Sequence, residues 1–142
     1  MRLLRLLPLA AALLLSAAVA QQGRFELAVD SAPVGLDPHV VTAFSSFVVI
    51  GQIYDGLLEV NADLGLEPAL ATSWTVSDDG LTYVFQLRDG VKFHNGRTMT
   101  AADVEYSFAR IMNPDTGSPQ ASRFNEVESV VATGPLEVTF KL

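Results

Sequence analysis

Two short alternating segments that meet at Asp78-Asp79-Gly80 restrict the folds open to this chain more than any other feature. Upstream, residues 73–77 put Trp74 and Val76 on one face; downstream, residues 81–87 do the same with Leu81, Tyr83, Phe85 and Leu87. A period of two is the signature of a half-buried strand, because successive side chains point to opposite faces. The Asp-Gly step between them supplies the positive φ of a tight hairpin at little steric cost. An antiparallel hairpin is therefore expected here, and an all-helical fold is excluded. Two more glycine turns, Asp89-Gly90 and Asn95-Gly96, bracket a short apolar strand expected at 91–93.

The pattern then changes period. Thr100-Ala101-Ala102-Asp103 has the form of a helix start, with a hydroxyl able to satisfy an orphan N–H and an acid near the positive end of the helix dipole. Ala101, Val104, Phe108 and Ile111 follow the spacing of one helical face, and Asn113-Pro114 ends it, since the residue before proline is pushed out of the α region. A loop at 115–123 leads to a strand at 127–133. Gly134-Pro135 turns the chain, and residues 136–142 alternate to the last position. A chain that stops inside a strand is expected to be interrupted and to leave that strand as an exposed edge.

Before the hairpin, residues 24–29 alternate loosely (Phe25, Leu27, Val29) and predict a first strand. Turns follow at 31–35 and at Asp37-Pro38. Residues 43–58 are long enough for a helix with an apolar face of Phe44, Phe47, Val48, Ile50, Ile53, Tyr54 and Leu57, although Val48-Val49-Ile50 is a β-branched run that disfavours it. Residues 58–60 predict a short strand, and 61–65 a polar turn.

The first twenty residues are of a different kind. Arg2 and Arg5 form a positive start, residues 3–15 an apolar stretch, and Ala18-Val19-Ala20 a small-residue cleavage site. A membrane-spanning helix needs about 20 predominantly apolar residues, and this apolar stretch is shorter, with Gln21-Gln22-Gly23 close behind. Residues 1–20 are thus expected to be a cleaved export signal, leaving 21–142 as the mature, exported portion; the periplasm as its destination is what the resemblance described below implies. Without Arg2 and Arg5, seven basic residues face sixteen acids and the net charge moves from −7 to −9. Such a chain repels phosphate backbones, which argues against nucleic-acid binding. The chain has no cysteine, so a lipidated cysteine, a disulfide and a thiolate metal site are all excluded.

Little in the composition points to catalysis. His39 and His94 are the only histidines and neither has an acid at a ligand spacing, so both are read as structural and no metal site is expected. Asp78-Asp79 sits in a hairpin tip, where carboxylates end strands and stay solvated. Ser45-Ser46 has no local partner base, and no nucleophile-elbow, phosphate-loop or dinucleotide fingerprint is present. Trp74, Phe85, Tyr106 and Phe108 are expected to be packing residues. The residues alone give an acidic, exported module that binds or is bound.

A resemblance takes the argument further. Pro68-Ala69-Leu70-Ala71-Thr72-Ser73-Trp74, followed by the ordered series from Val76 through Asp78-Asp79-Gly80 and Arg88-Asp89-Gly90-Val91-Lys92-Phe93-His94-Asn95-Gly96, closely resembles the extracellular solute-binding protein family 5. Thr100-Ala101-Ala102-Asp103-Val104 and the earlier Leu36-Asp37-Pro38-His39 continue it. The loop at 113–122 is most similar to the oligopeptide-binding branch. The resemblance implies an α/β fold of the type II periplasmic binding protein kind, α+β in its accessory subdomain, with part of lobe I and that antiparallel-sheet subdomain represented here. It implies a non-enzymatic receptor without cofactor, monomeric at full length, that closes two lobes on a di- or oligopeptide and delivers it to an ABC permease. Receptors for nickel chelates or other small solutes belong to the same family, and an exported interaction module without a cleft is the alternative of a different class.

For the site, the resemblance implies ligand contacts by main chain and small polar groups at Thr42, Ala43 and Phe44, directly after the Asp-Pro-His turn. An extended peptide gains affinity this way without its side chains being read. Thr42 could equally cap the helix that follows, and both roles can coexist. Where the oligopeptide branch carries a cleft-facing tyrosine after Ser-Pro, this chain has Gln120. The charged residues that grip peptide termini in many relatives are implied for the second lobe, and the stretch from Trp74 to Gly96 for scaffold.

Overall fold

The computed structural model describes residues 31–142, so the export signal and the strand expected at 24–29 lie outside the described residues. The elements run α1 (Phe44–Ile50), β1 (Leu58–Val60), β2 (Leu66–Pro68), β3 (Ala71–Val76), β4 (Thr82–Leu87), α2 (Ala101–Met112), β5 (Ser129–Gly134) and β6 (Glu137–Lys141). Two short 3-10 turns, Pro114–Thr116 and Ala121–Phe124, lie between α2 and β5.

The hairpin forms as its sequence requires. β3 and β4 pair antiparallel with Trp74 opposite Phe85 and Val76 opposite Tyr83. The Ser77 N–H donates to the Thr82 carbonyl at 2.9 Å, and Gly80 takes φ +73°, a value that strains any residue with a Cβ. Asp79 accepts from the Ser77 hydroxyl at 2.5 Å and from the Leu81 N–H at 3.0 Å, and the hydroxyl bond above all holds its carboxyl below the usual range. The Asp-Asp tip is a turn clasp, as its sequence suggested. A bulge between Ala71 and Ser73 resets the alternation, so that Ala71 faces Leu87 and Trp74 faces Phe85 across the pair. Trp74 is half-buried.

Four strands form one antiparallel sheet in the order β3-β4-β6-β5. β6 pairs with β4 (Phe85 opposite Val138, Tyr83 opposite Phe140) and, on its other side, with β5 (Val130 opposite Phe140). The expectation that this last strand is an exposed edge is therefore wrong. β6 is central and hydrogen-bonded along both sides, because the β5–β6 hairpin docks onto β4. The edges are β3 and β5. On β5, the Ala132 N–H is taken by the Glu105 carboxylate of α2 at 2.8 Å, which covers part of that edge.

α2 packs on β5 and β6. At its start Asp103 completes a capping box, accepting from the Thr100 N–H at 2.8 Å, and also forks onto Arg97 at 2.6 and 3.0 Å. The Arg97 bond holds the Asp103 carboxyl below its ordinary pKa, and the same guanidinium lies 4.5 Å over the Phe93 ring. The helix stops before Asn113-Pro114 as expected. Between helix and sheet lies the core of Ala71, Leu87, Met99, Ala101, Val104, Val130, Val138 and Phe140, with Phe85 and Phe108 packed against it. Phe140 meets Phe85 edge-on at 5.2 Å and Phe108 at 4.8 Å; Phe108 in turn meets Phe124 at 5.4 Å. Burying a side chain of this size stabilises by about 1.5–3 kcal/mol, and the edge-on contacts add to that.

Four further expectations need correction. α1 covers seven residues where a helix over 43–58 was expected; the β-branched run weakens it and Gly51 follows, so the chain continues as turns in which the Ile53 and Tyr54 N–H groups both donate to the Ile50 carbonyl. β2, unanticipated, pairs with β1 through Leu58–Pro68 and Val60–Leu66, around a turn where Asn61 Oδ1 accepts from the Asp63 and Gly65 N–H groups. Residues 91–93 form only the isolated bridge between Lys92 and Thr98, since the Asn95-Gly96 turn leaves no length for a ladder. Tyr106 is 68% exposed and does not pack in the core, because it falls on the outer face of α2.

Candidate functional site

The segment from Ser31 to Gly56 is fastened to α2 by a polar clamp. Arg110 of α2 forks onto Asp37, with Nη1 to Oδ1 at 2.9 Å and Nη2 to Oδ2 at 2.6 Å, and Nη1 also lies 2.8 Å from His39 Nδ1. Arginine has no acceptor, so Nδ1 must be the unprotonated nitrogen of His39. The Ser118 hydroxyl donates to the His39 carbonyl at 2.6 Å, and the Gln120 N–H donates to that hydroxyl at 3.2 Å. The Asp-Pro-His turn and the Ser-Pro-Gln loop are thus fastened together. The Arg110 bond holds Asp37 below the ordinary carboxylate value; burial, then the Arg110 charge, lower the pKa of His39. His39 is a structural hydrogen-bonding residue, as read from sequence.

Further along the arm, Ser46 is fully buried and its Oγ accepts from the Val34 and Gly35 N–H groups at 3.1 and 3.4 Å. That bond folds the 31–35 turn back onto α1 and explains why a serine occupies a buried helical position. The Ser45 hydroxyl donates to the Ala32 carbonyl at 3.1 Å. Both serines of the pair are committed to holding the arm.

The clamp leaves an open groove of about 530 Å³ beside it, within the range typical of small-ligand sites. Thr42 and Gln120 both line it, together with Pro38, Phe47, Ile111, Pro119, Arg123 and Phe124. The fold therefore brings together two of the four residues implied by resemblance. Ala43 does not line it; it is the N-cap of α1, in extended conformation. Phe44 also lies off the groove, its ring 82% exposed. Thr42 is one residue before the cap, and no side chain caps α1, so the capping role considered for Thr42 is not realised. Ile111, the last of the residues spaced along one face of α2, lines the groove, and Phe124 ties the groove wall to Phe108 and hence to the sheet. Sequence reasoning missed Arg110 and Arg123, for which neither spacing nor motif gives a signal. Among the described residues no group of three His, Cys, Asp or Glu is placed to hold a metal ion, and no helix is long and apolar enough to cross a membrane.

A sheet flanked by one helix, with a groove where an N-terminal arm meets that helix, is part of a type II periplasmic binding protein. The chain superposes on NikZ of Campylobacter jejuni, solved in complex with Ni(L-His), with a TM-score of 0.72 and 32% identity over 80% of this chain and 23% of that one. The oligopeptide-binding protein AppA of Bacillus subtilis, solved with a nonapeptide, matches with a TM-score of 0.70 and 31% identity over 73% of this chain and 21% of that one. In sequence, the glutathione-binding protein GsiB of Pectobacterium atrosepticum is 35% identical over 116 residues, 82% of this chain and 23% of that protein. Residues 65–142 match the family model described as bacterial extracellular solute-binding proteins, family 5 Middle, and the chain belongs to that family. Its relatives are named as binding proteins, and the chain spans about a quarter of their length.

Proposed function

We propose that this chain supplies the beginning of lobe I and the accessory subdomain of a periplasmic substrate-binding component of an ABC importer, exported by a signal at residues 1–20. The receptor binds di- or oligopeptides between two lobes and hands them to the permease. One observation carries the reading: Thr42 and Gln120, distant in sequence, line the same groove beside the clamp. Their hydroxyl and amide offer donors and acceptors to a peptide main chain, and the apolar wall of Phe47, Ile111 and Phe124 tolerates varied side chains. Family membership and the peptide carried by AppA support it. Ala43 and Phe44 lie outside the groove lining, and the 82% exposed Phe44 is available to a second lobe.

With one side of the cleft represented, the 142-residue chain should bind a dipeptide only at millimolar concentration. Titration with Ala-Ala under ¹H–¹⁵N NMR should shift the amides of Thr42, Gln120 and their neighbours and leave those of β1 and β2 in place. Shifts confined to other surfaces would overturn the site, and micromolar affinity by calorimetry would overturn the two-lobe reading. A receptor for metal chelates is the second reading, favoured by the likeness to NikZ; titration with Ni(L-His) on the same amides distinguishes the two.

A further inference from the structure

Four arginines lie among the described residues, and three are committed within the chain. Arg88 donates from Nε and Nη2 to the Ala69 carbonyl at 3.2 and 3.0 Å, Arg97 forks onto Asp103, and Arg110 onto Asp37. Arg123 makes no side-chain hydrogen bond or ion pair among the described residues, and it lines the groove. The lining contains no acid at all, in a protein with sixteen acids and nine bases. One guanidinium with no partner among the described residues, and no carboxylate in the lining to compete for it, give this groove a positive charge on a negative molecule.

We propose that the groove selects solutes bearing a carboxylate and that Arg123 is the residue that receives it. The planar guanidinium presents parallel N–H donors that match both oxygens of a carboxylate. Its backbone is held in place: the Arg123 N–H donates to the Gln120 carbonyl at 3.0 Å, and the adjacent Phe124 ring is packed edge-on against Phe108. The groove is open and Arg123 exposed, so the pairing is partly solvated, while Phe47, Ile111, Pro38 and Pro119 offer the apolar part of a solute a surface to lie on. Gln120 and Thr42 then hydrogen-bond the neutral part of the solute. This rests on the reading of the groove as a solute site, and it assigns charge recognition to a stretch for which the family resemblance implies only main-chain and small polar contacts.

The test compares Ala-Ala with Ala-Ala amide by NMR titration of the 142-residue chain, following the Thr42 and Gln120 amides and the Arg123 Nε–H. The two probes differ in the terminal carboxylate, and the amide is the more cationic, so overall attraction to an acidic protein would favour it. Ala-Ala should bind about three- to tenfold more tightly, the size of a partly solvated charge-assisted bond. In R123Q the two affinities should become equal, and in R123K part of the difference should remain; Arg123 is exposed, so both variants keep the fold, which Trp74 fluorescence verifies. Equal affinities in the native chain, or a preference that persists in R123Q, overturn the carboxylate inference and leave the groove as a solute site. If neither dipeptide moves these signals, the solute-site reading fails and the inference with it.

Discussion

The sheet unit from Leu57 onward and the arm before it are built on different principles. The sheet unit closes four strands and α2 over a core that includes the fully buried Val138 and the linked rings of Phe85, Phe140, Phe108 and Phe124. The arm buries Val41, Ser46 and Ile50, exposes Val34 and Phe44, and meets α2 through Asp37, His39 and Arg110. Burial is non-directional and tolerant; a charged clamp depends on geometry, on pH and on salt. The groove sits where the two meet, with one wall rigid and the other held by a latch. A groove at such a seam can change shape without disturbing the core.

The strongest way to break this contrast is to attack the sheet. Phe140→Ala removes the ring that joins sheet to helix and should cost about 3–5 kcal/mol. Urea unfolding followed by Trp74 fluorescence should show a large fall in midpoint, with sheet and arm lost together. A loss under 1 kcal/mol would mean that the aromatic chain is not the centre of the core. Gly80→Ala, at φ +73°, should cost about 1–2 kcal/mol in the same measurement; no change would show that the hairpin tip relaxes freely.

Arg110→Met tests the arm alone. Both partners are about one-third exposed, so solvent screening keeps the cost below that of either sheet variant. Amide exchange should rise at Val40 and Val41, whose N–H groups donate to the Asp37 carbonyl, while the β4 and β6 amides stay protected. Uniform destabilisation of both regions would contradict the division.

Acidification should give the smallest effect. His39 titrates below its ordinary 6.5 when folded, so the unfolded chain takes up its proton first and stability falls as pH drops below that value. A protonated Nδ1 cannot accept from Arg110 and repels it. Asp37, held below 3.8 by Arg110, keeps its share of the clamp until still lower pH. Between about pH 7 and pH 5, intrinsic-rate-corrected exchange should quicken in the arm and not in β4. Greater protection of the arm at the lower pH would reverse the sign and remove His39 from the clamp.

The two regions also differed in how much their sequences disclosed. The β3–β4 hairpin and α2 announce themselves because alternation, Asp-Gly, the Thr-Ala-Ala-Asp box and Asn-Pro are local signals. The central position of β6 does not, since which strand it pairs with is settled by long-range packing of Val138 and Phe140. β2, three residues long and exposed throughout, has no periodicity to detect. In the arm, the β-branched run warned that the helix was weak but could not locate its end at Ile50. Thr42 and Gln120 were legible only through family resemblance, whereas the Asp37–Arg110 fork joins residues too distant for any pattern to connect.

The placement of β6 has a consequence in time. A chain emerging from its N-terminus forms the β3–β4 hairpin early, but that hairpin presents Phe85 and Tyr83 to a partner strand that follows only after α2 and β5. Until residues 137–141 arrive and insert between β4 and β5, no register on that side is satisfied and the ring of Phe140 is not there to be enclosed. Closure of the sheet therefore waits on β6, the strand that joins β4 to β5.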